Sequence, residues 1–384
     1  MNLILKLLFV GVSLQAYYFY SLKMPAISVF SLFLMAALLL AGSAQKGIAL
    51  IWTQSFALAM VYVLLLFWAY TGLIYYQDAP DMKRLIGFII VILACLISLS
   101  LMRFVSLEDL LKFYLIIHLS FFMVQFLVYH TTGYDIDFLT PVTGEEQRMS
   151  TGDFGFYGRF IRAAGLFNEP GTYAIFVAPV VALFQRYYAQ SKSNKWLFWI
   201  GTFTLFASFS TYGLISGAII LVLFDKVKKV YRVWISVLFV SLLAPYLHFR
   251  YVQLPQHGEV TGIDLRGNFI GKSWEFLFSD FYKFSFGADL MSLTSRIDVP
   301  GFAYNDIGLL YFLCHFAGVP LTLLLLVVLV YFMFVKFDRA SSVSLLIILL
   351  SKHSIFAPFF PFFITMIFWK EHYGEGKKII CDAT

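Results

Sequence analysis

Apolar residues in this chain come in long unbroken blocks, not in the one-sided stripe of a helix lying on a wet surface. Blocks of roughly 20 apolar residues match the hydrocarbon core of a bilayer, so the pattern predicts membrane-spanning helices. Five of them fill the first third: Leu3–Ser21, Pro25–Ala41, Gln54–Tyr75, Leu85–Met102 and Leu110–Tyr129. Short connectors join them. The first block runs on to Tyr20 without a small-residue cleavage site and reads as a signal anchor. A polar stretch follows from His130 to Pro170, too long for a connector and too polar for lipid, which predicts a functional loop. Gly171–Tyr187 is apolar again and leads to a basic connector with Arg186, Lys192 and Lys195.

The run Trp196–Phe224 is harder to place. As one helix it would be about 44 Å long, well beyond a core of roughly 30 Å. Basic residues lie on both sides of it: Lys192 and Lys195 before, Lys226, Lys228, Lys229 and Arg232 after. Both flanks are therefore expected on the cytoplasmic side, which requires two short legs. The break is expected at Ser208-Phe-Ser-Thr-Tyr-Gly213. Short broken legs are tolerated where they line protein or a water-filled cavity. Tyr231–Leu247 then crosses outward, a second polar loop spans residues 248–305, and Asp306–Phe334 returns with Gly318 and Pro320 as a kink. Val343–Trp369 is interrupted by Lys352-His353-Ser354, Pro358 and Pro361 and reads as a short hairpin.

This pattern predicts an all-α, polytopic integral membrane protein, one domain over residues 1–384, with about twelve transmembrane segments, some short or broken. Both termini are expected in the cytoplasm, and the loops over 130–170 and 248–305 outside. Composition agrees: 60% of residues are hydrophobic and 13% charged. Mean hydropathy is +0.81, which rules out a water-soluble globule. Because the apolar blocks do not alternate, a β-barrel is excluded too. The net charge of +6 follows from the basic connectors and does not imply nucleic-acid binding. Aromatics make up 19%, as expected where many helix ends meet headgroups. Cys95, Cys314 and Cys381 form no framework, so no structural disulfide is expected.

The candidate chemistry sits in the two loops. The first ends Gly158-Arg159-Phe-Ile-Arg162-Ala-Ala-Gly165-Leu-Phe167-Asn168-Glu169-Pro170. The second holds Arg250, Asp264, Arg266, Lys272, Asp280, Asp289, Arg296 and Asp298. Arginine offers a planar, permanently charged fork that matches phosphate oxygens, so outward arginines above a membrane suggest an anionic headgroup such as a lipid-linked diphosphate. The plainer reading makes Arg162 an interfacial anchor and Glu169 a helix-start acid. Other motifs carry less. Gly267-Asn-Phe-Ile-Gly271-Lys272-Ser273 is one residue short of a phosphate-binding loop. Asp135-Ile-Asp137 is a three-residue match to a cation-binding pair. The histidines show no i, i+4 spacing, so no metal is expected. No Gly-x-Ser-x-Gly is present. His118 and Lys352-His353 are ionisable residues within apolar blocks, which default to a functional hypothesis.

The segment from Arg162 to Pro170, opening an apolar helix after a polar loop, resembles the signature of O-antigen polymerases of the Wzy type. Ser208 to Gly213 resembles that family's small-residue break. Arg266, Trp274 and Phe286-Gly287 resemble its second outer loop, and Asn305-Asp306-Ile-Gly308 with Phe316-Ala-Gly318-Val-Pro320 its returning helix. The resemblance implies a membrane glycosyltransferase at the outer face of the bacterial inner membrane. Such enzymes transfer a growing glycan from one polyprenyl diphosphate to the sugar of another lipid-linked repeat unit, without a cofactor. Related ligases carry a histidine where this chain has Asn305-Asp306, which favours a polymerase. A ligase-like transferase and a lipid-linked oligosaccharide flippase are the alternatives. Under the polymerase reading Arg162 and Arg266, with Arg159 and Arg296 in reserve, bind the diphosphate. Glu169 is the first choice of general base and Asp306 the second. Membrane lipid, the lipid-linked oligosaccharide, a chain-length regulator and a flippase are the expected partners.

Overall fold

The computed structural model describes residues 2–14, 18–19, 24–43, 82–102, 104–144, 146–149, 151–153, 159–224, 262–287, 318–351 and 359–373, with isolated positions at 230–241 and 308–315. The expected segments at Gln54–Tyr75 and Tyr231–Leu247 lie outside this set or almost so. The architecture is all-α. Its helices are α1 (Asn2–Ser13), α2 (Ala26–Ser43), α3 (Met82–Leu101), α4 (Leu107–Thr132), the single turn α5 (Thr140–Thr143), α6 (Pro170–Phe184), α7 (Lys192–Ala207), α8 (Thr211–Leu223), α9 (Gly262–Phe278), α10 (Phe281–Phe286), α11 (Val319–Val335), α12 (Arg339–Leu349) and α13 (Phe359–Tyr373). Two small antiparallel ribbons accompany them, β1 (Tyr18–Phe19) with β2 (Met24–Pro25) and β3 (Thr151–Asp153) with β4 (Arg159–Ile161). The first apolar block is therefore not one helix: α1 stops at Ser13, and the chain turns through the ribbon into α2.

Among the described residues the helix most enclosed by protein is α6. Every residue from Thr172 to Phe184 is buried, with no wet face at all. It is walled by α4, α7, α8 and α12, and Phe176 stacks on Phe360 of α13. A helix apolar all round belongs inside a large core or a membrane. The end of α6 is tied by charge. Arg186, just beyond it, donates through Nε to Asp338, the N-cap of α12, and through Nη2 to Ser341 Oγ at 3.0 Å. Midway along, Ser344 Oγ donates to the Pro179 carbonyl at 2.8 Å. As one chain advances the other recedes, so α6 and α12 are antiparallel.

Other contacts extend this end of the bundle. Glu108 and Asp109 open α4, where Asn194 Nδ2 of α7 reaches Glu108 at 2.8 Å and the Tyr187 carbonyl at 3.0 Å. Lys6 of α1 lies 3.8 Å from Asp109. Phe332 and Phe337, at the finish of α11, both pack on Phe368 of α13. Lys6, Lys112, Arg186, Lys192, Lys195, Lys336 and Arg339 thus gather toward one end of the bundle. The start of α6, the finish of α4 and the start of α11 point the other way.

Breaks occur where the apolar blocks were too long or interrupted. Residues 208–210 separate α7 from α8, which folds back so closely that a Cβ on Gly217 would lie 2.7 Å from the Phe206 ring. Helix α12 ends at Leu349, and α13 begins at Phe359. Gly318, at φ +82°, starts α11 as its N-cap, with Pro320 in the first turn where its missing N–H costs nothing. The second polar stretch is helical in its described part, a hairpin of α9 and α10.

Among the described residues one helix, α4 with 26 residues, is long and apolar enough by itself to cross a membrane. Several shorter apolar helices accompany it.

Candidate functional site

The segment from Arg159 to Glu169 folds as strand, turn and helix start. Arg159 sits in β4 opposite Asp153, and Ile161 opposite Thr151. Ala163, Ala164 and Phe167 are fully buried, while Arg162, Asn168 and Glu169 are half-buried. Gly165 has φ +58°, a left-handed conformation that favours glycine. A Cβ there would also press on the backbone of α4, 3.3 Å from the Phe122 nitrogen. The Phe167 ring stacks on His118 at 5.0 Å and on Phe176 at 5.3 Å. The small and apolar residues of this motif are thus wedges that seat it on α4 and α6.

Two glutamines that sequence reasoning passed over hold the motif in place. Gln125 of α4 is buried, and its Oε1 accepts from the backbone nitrogens of Ala164 at 2.8 Å and Gly165 at 2.9 Å. Its Nε2 donates to the Ile136 carbonyl at 2.7 Å and to Gln147 Oε1 at 2.9 Å. Gln147 Nε2 in turn donates to the carbonyls of Gly165 at 2.8 Å and Phe167 at 2.6 Å. Phe138 N–H donates to Gln147 Oε1 at 3.0 Å. Buried backbone groups of a loop need such partners, and a carboxamide supplies donor and acceptor together. The available signal was a lone Gln in an apolar block, which is costly unless satisfied.

Asp137 closes the same loop. Its carboxylate accepts from the backbone nitrogens of Leu139, Thr140 and Gln147 and from the Thr140 hydroxyl, at 2.7–2.9 Å. Partial burial works against its charge, but these hydrogen bonds outweigh burial and hold the carboxyl below its ordinary range. The Asp135-Ile-Asp137 pair is therefore a loop clamp at its second carboxylate. The near-match to a phosphate-binding loop at 267–273 lies inside α9, where a helix offers no cradle of free N–H groups.

Glu169 is the N-cap residue of α6, with Pro170 following in the first turn. Its side chain does not cap the helix; the Thr172 hydroxyl donates to Glu169 Oε1 at 3.2 Å. One turn further in, Tyr173 Oη donates to Thr204 Oγ1 of α7 at 2.7 Å. Thr204 is one turn from the α7–α8 break, so the break lies level with Glu169. In it Ser208 and Ser210 are buried with hydroxyls 3.1 Å apart, Phe209 takes φ +45°, and Ser210 caps α8 through the Gly213 nitrogen at 3.0 Å. Tyr212 Oη donates to the Ile347 carbonyl at the finish of α12, at 2.5 Å. A Cβ on Gly308 would lie 3.7 Å from the Ser351 carbonyl. The start of α6, the α7–α8 break, the finish of α12 and Gly308 thus lie toward the end of the bundle opposite the gathered basic residues.

Of the expected site residues, Arg159, Arg162 and Glu169 fall within this strand–turn–helix unit. Arg266 lies on α9; its side chain and that of Arg159, with Arg296 and Asp306, are outside the described residues. No protein-family model matches the chain, and no curated protein and no solved structure matches it.

Proposed function

We propose that this chain is an integral membrane glycan polymerase that transfers a growing glycan from one polyprenyl diphosphate to the sugar of a second lipid-linked repeat unit. The reading includes about twelve membrane segments, cytoplasmic termini and outward loops, at the outer face of a bacterial inner membrane. The observation that carries it is the hydrogen-bonded seating of the segment holding Arg162 and Glu169 at the start of the buried helix α6, level with a helix break. Supporting it, basic residues gather at the other end, as positive cytoplasmic ends do. Large apolar side chains also face outward along α1, α2, α4 and α11.

The reaction breaks a sugar–diphosphate bond as an acceptor hydroxyl attacks. Charge grows on the departing diphosphate, and preorganised guanidinium groups stabilise it; one well-placed donor is worth about 3–4 kcal/mol. Arg162 is assigned this role together with Arg266 from the second loop, with Arg159 and Arg296 in reserve. The acceptor hydroxyl loses its proton as it attacks. A carboxylate base typically contributes about 10²–10⁴-fold. Glu169 is assigned as base, with Asp306 the alternative.

Purified protein with lipid-linked repeat units tests this. Arg162→Ala should lower turnover by about 10²–10³-fold at normal abundance, the usual cost of one such donor. Arg162→Lys should restore little, because an ammonium lacks the planar fork. Full-length polymer from both variants would reject the diphosphate role. Unchanged turnover in Glu169→Gln would reject it as base. In cells, loss of the protein should leave single repeat units on the outer-leaflet lipid, whereas loss of a flippase would leave none there.

A further inference from the structure

We propose that the α9–α10 hairpin rests on the bilayer, with Phe278, Phe281 and Tyr282 at its tip inserted at the headgroup–acyl boundary of the outer leaflet. This rests on the membrane reading above in one respect, that α11 faces lipid, and adds what the second loop does.

The base of the hairpin is fixed. Leu277 is fully buried with Cys314 and Val319, and Trp274 and Phe284 pack against them. A Cβ on Gly318 would fall within 2.5 Å of the Ser285 carbonyl group, so the backbone of α10 lies flush on the N-cap of α11. The finish of α11 carries Lys336 and packs toward the basic end. Its start is therefore about 25 Å away along a 17-residue helix, near the opposite membrane boundary.

The tip is a different surface. Phe281 is 74% exposed, Phe278 59% and Tyr282 39%. The turn between the helices is ordered, because Asp280 accepts from the Tyr282 nitrogen at 2.9 Å. Rigid aromatics displayed at the level where an apolar helix begins match the belt in which Phe, Tyr and Trp meet headgroups. Left in water they would keep apolar area exposed at roughly 25 cal/mol per Å². Lys283 lies over the Phe276 ring at 4.0 Å and donates to Ser279 at 3.1 Å, and Lys272 is exposed on α9. Both ammonium groups suit phosphate headgroups above the inserted rings. Leu323, Leu324 and Val327 are exposed on α11, the helix whose start the hairpin touches at Gly318. Exposed apolar positions on both, with Lys272 and Lys283 beside the rings, suit a lipid surface rather than a second copy of the chain.

Spin labels on the full chain test this in vesicles of phosphatidylethanolamine and phosphatidylglycerol. Cys381 is replaced by Ser, while Cys95 and Cys314 are buried. Labels are placed singly at Phe281→Cys, Tyr282→Cys, Val327→Cys and Glu146→Cys, and collisions with oxygen and with a water-soluble nickel chelate are compared. The oxygen-to-nickel ratio should be several-fold higher at positions 281, 282 and 327 than at 146. A nickel-dominated signal at 281 and 282 beside an oxygen-dominated one at 327 overturns the hairpin proposal and leaves the membrane reading standing. Low collision with both reagents at 281 and 282 means protein contact and also overturns it. Nickel dominance at 327 rejects the membrane reading itself.

Discussion

Replacing Gln147 with Leu would nearly preserve volume but strand its four hydrogen-bond partners: the Gly165 and Phe167 carbonyls, the Phe138 nitrogen and Gln125 Nε2. Each buried group left unmet costs about 1–3 kcal/mol. Gln147→Leu should therefore lower the melting temperature in detergent and open the loop to protease, with turnover falling in proportion to the folded fraction. Gly165→Ala should act likewise, since the left-handed φ alone costs roughly 1–2 kcal/mol. A diphosphate-binding arginine behaves differently: Arg162→Ala should lose turnover with the loop still resistant to protease. Comparing protease resistance with turnover across these variants separates scaffold from chemistry. Were Gln147→Leu as stable as the parent, the glutamines would not be what seats the motif. At this scale the sequence was half legible. The residue types of Arg162 and Glu169 announced their chemistry, but the role of Gln125 and Gln147 depends on partners up to 40 positions away.

Among the elements, the clearest sequence signal was a length mismatch. The run Trp196–Phe224 was too long for one crossing, and the chain breaks at residues 208–210, inside the stretch rich in small and polar residues. Helix α12 stops at Leu349, three residues before Lys352-His353-Ser354, which with Pro358 lie outside the described residues, while Pro361 falls inside the first turn of α13. What the pattern did not reveal was the stop of α1 at Ser13, because apolar character continues beyond it. Nor did it reveal that the second polar stretch contains a hairpin with its own buried side. The ion pair joining α6 to α12 makes a prediction at this scale. Burial opposes the Asp338 charge, but the Arg186 hydrogen bonds and charge and the Ser341 nitrogen outweigh it, so the carboxyl titrates below its ordinary range. A carboxyl depressed in the folded state contributes stability above its unfolded pKa of about 4. That contribution fades as pH falls through the lower folded value. Asp338→Asn loses the ionisable group, so its melting temperature should lie below the parent's at pH 7 and the two should converge as pH drops below about 4. A constant difference across that range would mean that Asp338 acts only as a helix cap.

For the whole molecule, the sorting of charge matters most. Basic side chains gather where α6 and α11 finish, while the loop carrying Arg162 and Glu169 lies where α6 starts. Net charge alone could not have indicated this; it emerged because Arg186, Asp338 and Asn194 bind helices head to tail. If a bilayer surrounds the bundle, the positive end faces the cytoplasm. A single orientation then follows for every described helix. Lys192, at the start of α7, and Glu146, in the first loop, are both exposed and lie at opposite ends. In intact cells a membrane-impermeant thiol reagent should label Glu146→Cys and spare Lys192→Cys, and permeabilising the cells should expose the second. Labelling of both in sealed cells would argue against a membrane-spanning bundle. The reverse pattern would put Arg162 in the cytoplasm, away from any glycan carried by outer-leaflet lipid, and the proposed reaction would have to be abandoned even if the fold stood.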